Sequence, residues 1–112
     1  MKPFESSVPA MSEADLQRGV LDLARVLGWR VATFRAARTA HGWRTPTGGD
    51  GNGWPDLFMV RGSRILAAEL KGDRGRLTDE QLAWLAALSD AEVETHIWRP
   101  VDYPDRVAEA LR

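Results

Sequence analysis

Two carboxylates and one ammonium group, Asp56, Glu69 and Lys71, are spaced so that a single hairpin would gather them. Residues 56–60 and 64–71 are apolar runs separated by Arg61-Gly62-Ser63, a hairpin signal. With Gly62-Ser63 as a two-residue turn, Arg61 faces Arg64, Val60 faces Ile65, and continued pairing sets Asp56 opposite Glu69. Facing residues of an antiparallel pair have Cβ atoms roughly 4.5–5.5 Å apart, and like charges there are destabilising. Two carboxylates so placed need a cation or a proton between them. Lys71, two positions beyond Glu69, emerges on the same face of its strand. Such a group suits a hard divalent cation such as magnesium, which is commonly held by one or two carboxylates together with a substrate phosphate. The ion would acidify a water and neutralise charge developing on phosphorus, while the lysine positions that water or stabilises the transition state. The plainer alternative is a strand-capping Asp56 and a Glu69–Lys71 surface ion pair.

The elements around this hairpin follow from periodicity. Ser12 reads as an N-cap, followed by Glu13 and Asp15 in a first turn where the helix dipole favours acids. Leu16, Val20, Leu23, Ala24 and Leu27 continue at helical spacing to a stop at Gly28, giving a helix over 13–27. Glu13 precedes Leu16 by three and Val20 by seven, so it extends the apolar stripe and would reach over the sheet edge toward a metal. Residues 29–34 alternate as a strand, and the glycine-rich stretch 39–54 is expected to be a long loop without regular structure. Thr78 with Gln81 forms a capping box for a helix over 78–88. Residues 93–98 alternate as a final strand, and 102–111 read as a short closing helix. Residues 1–11, with Pro3 and Pro9 and no periodicity, are expected to form a flexible arm before a single domain over 12–112.

Composition narrows the classes. With 112 residues there is room for one core, and 44% hydrophobic and 28% charged content excludes wholesale disorder. No cysteine is present, so disulfides and thiolate metal sites are excluded. Apolar runs are too short for a membrane span or a signal-peptide core, and the expected compartment is the cytoplasm of a bacterial or phage-infected cell. The net charge of −1 hides an asymmetry: segments 16–44 and 61–76 are basic, whereas 77–112 is acidic. This is the pattern of a surface that meets a polyanion. Arg35, Arg38, Arg44, Arg74 and Arg76 are the residues expected to contact nucleic acid. His41, His96, Asp50 and Asp73 stay outside the catalytic set, His96 as a structural strand residue and the aspartates as turn formers. Five tryptophans suggest a packed core with some left for an interface.

Gly53-Trp54-Pro55-Asp56, then Glu69-Leu70-Lys71, then Gly75-Arg76-Leu77-Thr78 with Gln81, resembles the PD-(D/E)XK nuclease superfamily and, more narrowly, its VRR-NUC (virus-type replication-repair nuclease) family. The resemblance covers roughly residues 12–99, with Glu13 matching a first-helix glutamate. It implies an α/β restriction-endonuclease-like core in the order α-β-β-β-α-β-α, a mixed sheet with helices on both faces, and a final strand parallel to the Glu69 strand. It also implies hydrolysis of phosphodiester bonds with magnesium or manganese. Asp56, Glu69 and the Leu70 backbone carbonyl would be metal ligands and Lys71 the catalytic lysine. Glu13 would act on the metal or its water, and Gln81 would orient the site. The expected protein is an endonuclease for branched DNA, a four-way junction resolvase in the narrowest reading, working as a homodimer with no membrane partner and no small-molecule cofactor. A non-catalytic nucleic-acid-binding module and a sequence-specific restriction-like nuclease are the alternatives.

Overall fold

The computed structural model describes residues 11–34, 37–39, 42–44 and 48–112, with only the backbone described for 37–39 and 42–44. The arm over 1–10, Arg35, His41 and the side chains of Arg38 and Arg44 therefore lie outside the described residues; Met11 packs against the core.

Helix α1 (Glu13–Val26) starts where Ser12 and Asp15 cap one another's backbone N–H groups. It ends where Gly28 adopts φ +85° and Trp29 N–H reaches back to the Ala24 carbonyl at 2.8 Å. The main sheet contains β1 (Arg30–Thr33), β4 (Leu57–Arg61), β5 (Arg64–Leu70) and β6 (Glu94–Trp98) in that spatial order. The first two junctions are antiparallel. The β5–β6 junction is parallel, with helix α2 (Asp79–Asp90) as its crossover. This is the mixed α/β architecture read from the sequence. The hairpin register is also the expected one, with Arg61 opposite Arg64 and Leu57 opposite Ala68.

Two expectations fail. Within the stretch read as an unstructured loop, β3 (Gly42–Arg44) pairs with β2 (Ala37–Thr39) as a separate two-stranded ribbon. Averaging composition over the glycines hid a short segment in which Trp43-Arg44 opposes Ala37-Arg38. The closing helix is also divided. A 3-10 turn over Pro100–Asp102 is followed by an extended Tyr103, and α3 (Asp105–Leu111) begins only after Pro104. A residue before proline is driven out of the helical region, so the chain could not run helically through this point.

One sheet face meets α1 and α3. Leu16, Val20 and Ala24 pack with Val107 and Leu111 on Leu57, Met59, Leu66, Ala68 and Leu70, all buried. Each fully buried leucine, valine or methionine of this set contributes roughly 1.5–3 kcal/mol. Helix α2 lies over the opposite face at the end where β5 finishes, so all of residues 66–70 are buried. At the other end of the hairpin, Trp29 donates its indole N–H to the Leu111 carbonyl, and the Arg61 and Arg64 guanidinium groups lie over its ring, 4.7 and 4.8 Å from the centroid. Arg61 also donates to the carbonyls of Leu27 and Leu111. Arg64 forks onto Glu94 and donates to the carbonyls of Ala110 and Arg112. These two arginines thus serve helix ends and cannot be counted as free basic surface. No helix among the described residues is long and apolar enough to cross a membrane.

Candidate active site

Asp56 stands one step beyond the last ladder pair of β4, which sets it across from Glu69. Its Oδ2 accepts the Leu70 backbone N–H at 2.9 Å, so the strand carrying Glu69 also fixes the Asp56 carboxylate. Glu69 is 2% exposed. Its Oε1 lies 3.4 Å from the Gln81 side-chain nitrogen, and its Oε2 is buried with no hydrogen-bond partner. Burial first, then the facing carboxyl of Asp56 and its charge, push the Glu69 carboxyl up to about 9, against the pull of Lys71. Glu13 adds a smaller push in the same direction.

Lys71 follows Glu69 on the same face and is half-buried; its backbone N–H donates to the Trp98 carbonyl at 3.0 Å. It has no carboxylate within ion-pair distance among the described residues, so the simple Glu69–Lys71 surface pair does not form. The turn after it is held from below: Arg99 Nη1 donates to the carbonyls of Gly72 and Gly75 at 2.7 and 2.8 Å. A Cβ at Gly75 would stand 3.3 Å from Lys71 Cδ, so the turn packs directly along the lysine stem. Arg74 and Arg76 are exposed in the same segment.

Gln81 combines two tasks. Its Oε1 accepts the Thr78 backbone N–H, completing the capping box of α2, while its amide nitrogen faces Glu69. Gly53 sets the distance between this helix and the strand. It has φ +87°, and a Cβ there would fall 2.5–2.7 Å from the backbone of Glu80 and Gln81. Only glycine permits this approach. Glu13 is exposed in the first turn of α1, its Cγ 3.8 Å from where a Gly72 Cβ would stand. It is near the mouth of the site and is not hydrogen-bonded to Asp56 or Glu69.

Among the described residues no three histidine, aspartate or glutamate side chains cluster as a ready metal cage. The donor set is two opposed carboxylates, one of them with an orphaned, buried oxygen. Oxygen donors of this kind, one without a hydrogen-bond partner, fit a hard divalent cation that keeps part of its water shell.

Three features went unread in the sequence. Arg99 is far in sequence from the glycines it holds, and no spacing marks it. The close approach of Gly53 to α2 is a tertiary fact. The third is an aromatic group: Trp54 meets Phe34, Phe58 and Trp84 with centroids 6.0, 5.5 and 4.9 Å apart. Trp84 is anchored by its indole N–H on the Asp50 carbonyl. Trp29 and Trp98 are core residues, whereas Trp54 and Trp84 pack on each other and stay half-buried. His96 stacks on Trp98 at 5.0 Å and is half-buried, in keeping with a structural place.

A family model described as the VRR-NUC domain matches residues 15–101. The match contains Asp56, Glu69, Lys71 and Gln81, and begins two residues after Glu13. No curated protein and no solved structure matches the chain.

Proposed function

Because the chain belongs to the VRR-NUC family, a family of nucleases, we propose that it is a magnesium- or manganese-dependent DNA endonuclease acting on branched DNA. The observation that carries the reading is the Asp56 carboxylate fixed opposite a buried Glu69 whose second oxygen has no partner. A protein that only bound DNA would have no use for facing carboxylates that destabilise its fold. Asp56 and Glu69, with the Leu70 backbone carbonyl, would hold the ion, and Glu13 would act on it or on its water. The ion would supply Lewis acidity toward phosphate and a more acidic water. Lys71 would orient the attacking water or stabilise charge on the phosphate, and Gln81 would hold Glu69 in place. Arg74 and Arg76, beside Lys71, would meet the phosphates that flank the scissile bond, with Arg35, Arg38 and Arg44 extending that contact.

The junction-resolvase form of the reading needs two paired nicks, which a twofold homodimer provides. Val60 and Ile65, opposite one another on β4 and β5, are exposed at 37% and 42% and offer an apolar surface for pairing. The test is cleavage of linear duplex, single strand, flap, fork and four-way junction with magnesium, manganese or chelator. Asp56→Asn and Glu69→Gln should abolish cutting while each variant remains folded. Full activity in both variants, or in chelator, overturns the mechanism. A solution mass near the 12.5 kDa of one chain, with equal cleavage of junction and linear DNA, removes the resolvase form and leaves the nuclease.

A further inference from the structure

The Phe34 N–H donates to the Asp56 carbonyl at 2.8 Å, continuing the β1–β4 ladder one pair beyond Thr33 and Leu57. Phe34 therefore stands across from Asp56 on one side just as Glu69 does on the other. Adjacent strands lie about 4.8 Å apart, so Phe34, Asp56 and Glu69 form a row about 10 Å long on one sheet face. Phe34 is 42% exposed, an unusual place for a phenyl ring beside two carboxylates. Its ring is packed from one side. Trp54 meets it edge-on at 79°, and Trp54 is itself wedged against Phe58 and Trp84.

We propose that Phe34 is a stacking ledge for one unpaired nucleobase of the DNA strand, adjacent to the Asp56–Glu69 carboxylate pair. A base inside a duplex is covered on both faces by its neighbours, whereas a base at a branch, flap or single strand has a free face to place on an aromatic ring. The ledge thus selects substrates with an unpaired nucleotide beside the scissile bond. The inference rests on the nuclease reading for its substrate, but its binding test does not require cleavage.

A short single-stranded DNA carrying one 2-aminopurine, moved position by position, is titrated with the full chain in chelator. At one position stacking on Phe34 should quench the fluorophore. Phe34→Leu keeps the apolar cover and removes the aromatic face; it should abolish that quench and weaken binding about 5- to 150-fold. Phe34→Trp should preserve both. An abasic nucleotide at the same position should cause the same loss in the wild-type protein, and combining it with Phe34→Leu should add less than twofold. Val26→Ala, at an exposed position on α1, which packs against the other sheet face, should change nothing. Quench that survives Phe34→Leu, or losses that multiply when the abasic site and the variant are combined, overturns the ledge. The abasic comparison needs no variant, so an unfolded Phe34→Leu does not rescue the proposal: equal binding of abasic and intact strands at every position also overturns it. If the wild-type protein cuts no DNA with metal yet the quench responds to Phe34, the nuclease reading falls and the ledge stands. If it cuts and no position quenches, the ledge alone falls.

Discussion

Replacing Glu69 by glutamine should stabilise the metal-free protein, and by more as the pH rises. In the folded chain the Glu69 carboxyl is pushed from an ordinary 4.5 up to about 9, chiefly by burial and then by Asp56. Between those values the folded protein keeps a proton that the unfolded chain has released. The associated stability is complete below about 4.5 and is lost as pH climbs through about 9. Within the window each pH unit removes about 1.4 kcal/mol, so pH 7 to 8.5 removes about 2 kcal/mol from the wild-type protein. Glutamine retains the shape and an oxygen for Gln81 but cannot ionise, so the variant lacks this loss. His96 works in the other direction: its burial lowers its affinity for protons, and the stability it contributes is lost as pH falls below its ordinary 6.5. Starting at pH 7 keeps it largely silent. Urea unfolding of both proteins in chelator at pH 7 and 8.5, compared at equal m value, measures the gap. The gap should widen by about 2 kcal/mol, and magnesium should narrow it by stabilising the wild-type protein more. A gap that is the same at both pH values refutes the reasoning.

Further outcomes follow from the same geometry. Lys71→Arg keeps the charge but replaces a compact ammonium by a planar fork in a packed turn, so turnover should fall far more than DNA affinity in steady-state and binding assays. Gly53→Ala places a methyl against unyielding backbone at a positive φ and should cost about 2–4 kcal/mol in chemical unfolding. Gly48→Ala, with open space around it, should be close to neutral in the same assay. Arg99→Lys removes the fork that spans two carbonyls; kcat should drop with KM little changed, since the turn supporting Lys71 loosens while Arg74 and Arg76 remain.

The hairpin and its register were legible because a two-residue turn and a period of two leave few alternatives. The caps of α1 and α2 were legible too, since Ser12 with Asp15 and Thr78 with Gln81 act within four residues of chain. The carboxylate pair could be placed for the same reason, as its geometry is inherited from the turn. What escaped was tertiary. Arg61 and Arg64 looked like free basic surface because nothing local shows that α3 ends beside them. Trp54 could be quoted as part of a motif, but its contacts with Phe34 and Trp84 depend on how β1 and α2 approach it. Gln81 was read as either cap or site residue; its Oε1 caps α2 while its amide nitrogen lies 3.4 Å from Glu69, a juxtaposition no local spacing displays.

The hairpin joins its strands through two residues, whereas β6 meets β5 only after the whole of α2 has been laid down. Short hairpins close in about 1–10 μs, well ahead of pairings that must first close a long loop. Asp56 and Glu69 are therefore brought face to face early, before α2 and β6 cover them. The part of the Glu69 cost that comes from Asp56 is therefore met on the way uphill, in the refolding limb of the chevron, whereas the larger part, burial, is met when α2 covers the pair. The chain's chemistry thus divides its cost along the folding route, a smaller part entering with the hairpin and the larger with the closing of α2.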